Sequence, residues 1–191
     1  MTLEMKMTGE HFEFLTSARK GDGVFRFRWT LAAGKKGPPE HVHPSADETF
    51  RGRSGLLKIW IEDRAHELRP GDTLTIPART RHRFLNPGPE PAVVDVALDG
   101  TSMEDALVPS ALYAEAQGEL RIRDIFRLLV HDVEANGSVP ASAVGLRLMA
   151  IFARIARAFG AKPFPPPGDW TSRRGQSTWT AQDAAPPSAS I

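Results

Sequence analysis

Between Val24 and Leu31 the chain alternates with a period of two. Phe25, Phe27, Trp29 and Leu31 are large and apolar, and Arg26, Arg28 and Thr30 between them are polar. Successive side chains of an extended strand point to opposite faces, so this run predicts a strand with an apolar, aromatic inner face and a charged outer one. Such a face must be covered by others like it. Strand-like runs follow at 47–53, 56–62, 65–68, 72–76, 81–86 and 92–98, separated by Gly, Pro and Asp turn signals. No helical period interrupts residues 11 to 98, and short, evenly spaced strands of this kind predict an antiparallel barrel or sandwich. With 191 residues and 41% apolar content, one such domain plus an appendage is the expectation.

The pattern changes after Gly100. Thr101 and Glu104 read as a capping box, and Ala106, Leu107, Leu112 and Tyr113 as a helix interrupted near Pro109. A second helix is predicted over 119–135. A third, over 141–159, puts Val144, Leu148, Ile151, Phe152, Ile155 and Phe159 on one face and Arg147, Arg154 and Arg157 on the other. That apolar face is expected to pack on the barrel or a second subunit, or to lie peripherally on an anionic membrane. Its arginines argue against a transmembrane segment. From Lys162 onward Pro, Ser, Gly and Ala dominate, which predicts a disordered tail in which Trp170 alone is a candidate to dock. The expected division is a barrel over 1–100, a helical appendage over 101–160 and the tail over 161–191.

Net charge is +1, and the 24 Lys and Arg are spread along the chain, so no nucleic-acid partner is expected. No helix-turn-helix pattern precedes the strands. Without cysteine, any metal must be held by nitrogen and oxygen. The opening MTLEMKMTGEHFEF lacks the apolar core of a secretory signal, which points to a cytoplasmic protein. A small barrel with an exposed edge strand and an apolar helix face is expected to form a homodimer.

The chemistry-bearing residues cluster in two segments. In an extended stretch, His41 and His43 point to the same side, where both imidazoles can reach one point. Glu48, separated from His43 by four residues, follows a turn and offers an anionic oxygen. Gly55 sits at a hairpin, and Gly71, Pro77, His82 and Asn86 form a second cluster with His82 as a fourth ligand. His11, His66 and His131 lie outside these segments and receive no role.

The segments PPEHVHPSADETFRGRSG and GDTLTIPARTRHRFLN resemble the paired motifs of the cupin superfamily, HxHxxxxExxxxxxG and GxxxxxPxGxxHxxxN. The resemblance spans about residues 24 to 98. It implies a mainly β fold, the double-stranded β-helix or jelly-roll barrel, followed here by the C-terminal helices. It further implies that His41, His43, Glu48 and His82 bind a divalent metal ion (Fe, Mn, Ni or Zn), while Gly55, Gly71, Pro77 and Asn86 shape turns. Arg79 stands where the second motif has glycine, and Lys35 stands at another usual glycine. Compact single-barrel cupins with these ligands are similar to bacterial quercetinase-like dioxygenases, in which the glutamate also serves as a base, so Glu48 is the catalytic candidate. Four ligands leave two positions open on a six-coordinate ion. Phe25, Phe27, Trp29, Phe50, Ile59, Phe84, Val94 and Val96 are expected to line an apolar pocket around it. The expected function is a dioxygenase-type oxidoreductase acting on a small aromatic or apolar molecule. The alternatives are a non-redox metal-dependent isomerase, lyase or cyclase, and a non-catalytic module binding a small ligand.

Overall fold

The computed structural model describes residues 2–5, 10–117, 121–165, 167 and 170. Ten strands come first: β1 (Thr2–Met5), β2 (Glu10–Thr16), β3 (Val24–Leu31), β4 (His41–Val42), β5 (Glu48–Ser54), β6 (Leu57–Ile61), β7 (Arg64–Leu68), β8 (Thr73–Ile76), β9 (His82–Leu85) and β10 (Ala92–Asp99). Then follow α1 (Ser102–Gln117), α2 (Ile122–Ala135), β11 (Val139–Pro140) and α3 (Ala143–Ala158). One antiparallel sheet has the order β1-β2-β3-β10-β5-β8 and the other β11-β4-β9-β6-β7, giving a two-sheet jelly roll with the helices after it.

The alternation of β3 decides which way it faces. Phe25, Phe27, Trp29 and Leu31 are buried, and on β10 they stand opposite Leu98, Val96, Val94 and Ala92, which are buried too. Fully burying each such large side chain contributes roughly 1.5–3 kcal/mol. On the outer face Arg28 reaches both Glu13 and Asp95, and Arg53 also pairs with Asp95. Gly55 closes the β5–β6 hairpin at φ 69, where a Cβ would come within 2.4 Å of the Pro91 carbonyl oxygen. Both the left-handed backbone and the close approach therefore require glycine there.

The helices depart from expectation in three ways. First, α1 runs unbroken through Pro109. Proline cannot donate to the carbonyl four residues back, that of Asp105. His131 of α2 donates its Nε2–H to that oxygen at 2.8 Å, and its Nδ1 accepts the Phe164 N–H at 3.3 Å. His131, to which the sequence reading assigned no role, is thus a buried structural residue.

Second, Glu104 bridges outward from α1. Its carboxylate accepts from Ser17 Oγ at 2.5 Å, the Ala18 N–H at 2.9 Å and Trp170 Nε1 at 2.7 Å. Trp170 packs at 5.8 Å on Phe14 and Phe164 at 4.7 Å on Tyr113, so these two residues are anchored within the stretch expected to be a loose tail. Residues 166, 168, 169 and 171–191 of that expected tail lie outside the described residues.

Third, α3 does not pack its large apolar face on the barrel. It meets α2 through Ala153 and Ala156 beside Val130, and the six predicted face residues are all exposed, from 45% for Ile155 to 89% for Phe159. Among the described residues, no helix is long and apolar enough to cross a membrane.

Candidate metal centre

His41 and His82 face each other as direct partners across β4 and β9, with ring centroids 4.2 Å apart. His43 lies one residue beyond β4, its ring 5.1 Å from that of His41 and 5.3 Å from that of His82. The three offer ligand atoms all within 4.8 Å of one another, and all three side chains are buried. Glu48 opens β5 in the other sheet, and its Oε2 stands 3.3 Å from His43 Nε2 and 3.2 Å from His82 Nε2. All four residues singled out in the sequence therefore converge.

Their hydrogen bonds fix which atoms face inward. Each imidazole places Nδ1 against a backbone carbonyl: His41 on Pro39 at 2.8 Å, His82 on Thr80 at 2.9 Å, His43 on Gly137 at 2.5 Å. A carbonyl only accepts, so Nδ1 carries the proton in each ring and the neutral imidazole presents a bare Nε2 lone pair. Nε2 of His43, Nε2 of His82 and Oε2 of Glu48 are buried, and none makes a geometrically sound hydrogen bond despite the short distances. Buried acceptors that face acceptors are costly unless a cation lies between them. That requirement, and the all-nitrogen-and-oxygen donor set, fit a divalent ion.

Burial, then the neighbouring His82, pushes His41 down to about 4, so it stays neutral. Without an ion, a second proton on Nε2 would serve His43 in its place: burial opposes that charge, but Glu48 and the Gly137 carbonyl outweigh it and raise the His43 pKa. For Glu48, burial pushes the carboxyl up, and the two imidazoles beside it bring it down to about 2, keeping it a carboxylate.

The site forms one wall of a cavity of about 140 Å³ whose other sides include Phe12, Phe27, Trp29, Phe50, Phe84 and Val96. Five of the eight predicted pocket residues line it. Phe25, Ile59 and Val94 belong instead to the packed core behind it. Met103 and Leu107 of α1 close one side, and Glu10 adds a second carboxylate, which accepts from Trp29 Nε1 at 3.1 Å. Sequence reasoning missed Glu10, although its register with Phe12 and Phe14 placed a charge on the inner face of β2. It also missed β11, which pairs Pro140 with His41 and Val139 with Val42 and so lays the appendage against the ligand strand.

Residues 27–99 match the cupin domain family. The chain carries a cupin domain. Protein SchB of Streptomyces halstedii is 41% identical to this cupin over 49 residues, covering 26% of this chain and 36% of that protein. Quercetin 2,3-dioxygenase of Bacillus subtilis is 30% identical over 84 residues, 41% of this chain and 23% of that enzyme. The cupin thus spans well under half the length of either relative. A solved structure described as a sugar phosphate isomerase from a cupin superfamily, from Silicibacter pomeroyi, superposes with a TM-score of 0.46 at 26% identity, covering 50% of this chain and 62% of that one.

Proposed function

We propose that this cupin is a metal-dependent, dioxygenase-type oxidoreductase acting on a small aromatic or apolar substrate, with His41, His43, Glu48 and His82 holding the ion. The observation that carries the reading is the inward-facing set of buried acceptors on the wall of an apolar cavity. The likeness to quercetin 2,3-dioxygenase over 84 residues supports the reaction class. A divalent ion held by these four residues would supply Lewis-acid chemistry toward a substrate oxygen and activation of dioxygen.

The protein's own groups do the rest. Phe27, Phe50, Phe84 and Trp29 offer a flat ligand aromatic faces and exclude water. Glu48, ionised and in contact with two of the imidazoles, is placed to accept a proton from a substrate hydroxyl as that oxygen is bound. The Nδ1 bonds to Pro39, Thr80 and Gly137 hold the three rings in position throughout.

The test is elemental analysis of the purified protein beside His82→Ala, with oxygen uptake followed on aromatic diols and flavonols. One Fe, Mn or Ni per chain that is lost in the variant, together with oxygen consumption by the wild type, supports the proposal. Bound metal with turnover that persists under anaerobiosis would replace it with a non-redox lyase or isomerase.

A further inference from the structure

α3 turns its large side chains to solvent. It seats on α2 through a stripe of small residues, Ala153 and Ala156, while Val144, Leu148, Ile151, Phe152, Ile155 and Phe159 stay exposed. Phe126 of α2, exposed as well, lines one cleft with Ile155 and Phe159. Soluble proteins rarely leave so many large apolar side chains on one face without a partner for it.

The charges say which partner fits. α3 contains no Asp or Glu, and its exposed Arg147 and Arg154 form no ion pair among the described residues. The third arginine, Arg157, is tied to Glu134 at 2.6 Å. A cleft of about 620 Å³ between the helices opens beside Ile155 and Phe159; its lining adds Lys162 and also Arg123, which is paired with Asp124 at 3.5 Å. A second copy laid on α3 by two-fold symmetry would bring Arg147 and Arg154 against an identical helix that carries no carboxylate. Residues 171–191 offer only Trp179 and Ile191 as large apolar side chains, too few to cover the face. An apolar stripe flanked by unpaired arginines matches an anionic bilayer surface, where the stripe enters the acyl boundary and the guanidinium groups meet lipid phosphates.

We infer that α3, with the adjoining part of α2, docks this protein on anionic lipid membranes. The full chain is spun with vesicles of pure phosphatidylcholine and with vesicles in which a quarter of the lipid is phosphatidylglycerol. It is expected to co-sediment with the second and not the first, and less as salt is raised. Arg147→Glu with Arg154→Glu, and separately Ile151→Ser with Phe152→Ser, are each expected to lower partitioning at least about tenfold. Circular dichroism and metal content should match wild type, since both pairs lie on the surface away from the barrel. Failure to bind anionic vesicles, or equal binding to neutral ones, overturns the inference. So does a wild-type dimer in sedimentation velocity that the Ile151→Ser, Phe152→Ser variant converts to monomer, because the face would then belong to a second copy.

Discussion

The Nδ1–H of His43 donates to the carbonyl oxygen of Gly137 at 2.5 Å, a bond that joins residues 94 positions apart. A ring nitrogen facing the metal centre is therefore aimed by the helical half of the chain. Gly137 has no room for a side chain: a Cβ there would stand 2.8 Å from both the Ala106 Cβ and the Ser102 carbonyl oxygen. Gly137→Ala is expected to displace that carbonyl and weaken divalent-metal binding about 10- to 100-fold, with the barrel still folded. Competition against a chromophoric chelator, beside far-UV circular dichroism, measures both. Unchanged affinity would remove the positioning role.

Because the buried acceptors of His43, Glu48 and His82 lack partners of their own, an added divalent ion should stabilise the native state. At about one hundred times its dissociation constant it contributes about 2.7 kcal/mol. A melting curve should shift upward with Ni, Mn or Fe(II) for wild type and stay fixed for His82→Ala. A shift of equal size in the variant would place the ion elsewhere.

His131 gives the fold an acid-sensitive point. It is buried as a neutral ring with both nitrogens engaged, and burial holds its pKa below the ordinary value of about 6.5. The unfolded chain therefore binds the proton more readily than the folded one. Stability from this residue is present above about pH 6.5 and is lost as pH falls through the depressed native value. Denaturant midpoints for wild type and His131→Gln, both saturated with metal, should converge as pH drops from neutral towards 5. Parallel curves would contradict the assignment.

Glu104 collects three donors, from Ser17, Ala18 and Trp170, at a position that is 1% exposed. Glu104→Ala orphans all three and is expected to cost roughly 3 kcal/mol, while Glu104→Gln keeps one acceptor and costs less. Urea unfolding ranks the two. Limited proteolysis near residue 170 should accelerate in both variants, and an unchanged cleavage rate would show that Trp170 is anchored by packing alone.

Arg79 occupies a glycine-favouring conformation, φ 64, while its N–H donates to the His43 carbonyl at 2.8 Å and its Nε to the Pro44 carbonyl at 3.1 Å. Arg79→Gly relieves the backbone and loses the side-chain bond, so stability should change by less than about 1 kcal/mol. Arg79→Val adds β-branching to the same φ and should cost clearly more. Equal melting temperatures for the two variants would show that this loop carries no strain.

The barrel and the shared side of His41 and His43 were legible because strand periodicity is two and needs no distant information, while Glu48 and His82 joined them through the resemblance to the paired cupin motifs. His41 and His43 share a face by spacing alone, and Phe25 to Leu31 mark inside from outside. Arg79 too was visible, as an arginine at a turn where its motif carries glycine. What stayed hidden depends on contacts across the chain. Pro109 reads as a break unless His131 is known to take the carbonyl it frees. Glu104 reads as a cap until Ser17 and Trp170 arrive beside it. For α3, periodicity located the large side chains, but the contact with α2 is made by Ala153 and Ala156, whose small size lets the helices approach and leaves no hydrophobic signal.

The pairing of β11 with β4 has a consequence for how the protein is made. All four residues facing the centre emerge from the ribosome within the first hundred residues, but the strand that borders His41 and the carbonyl that orients His43 come some forty residues later. A nascent barrel would hold its imidazoles without their final aim, and its ligand strand β4 would still lack one neighbour. Metal capture in the finished geometry thus waits until α2 has folded back and brought Gly137 home.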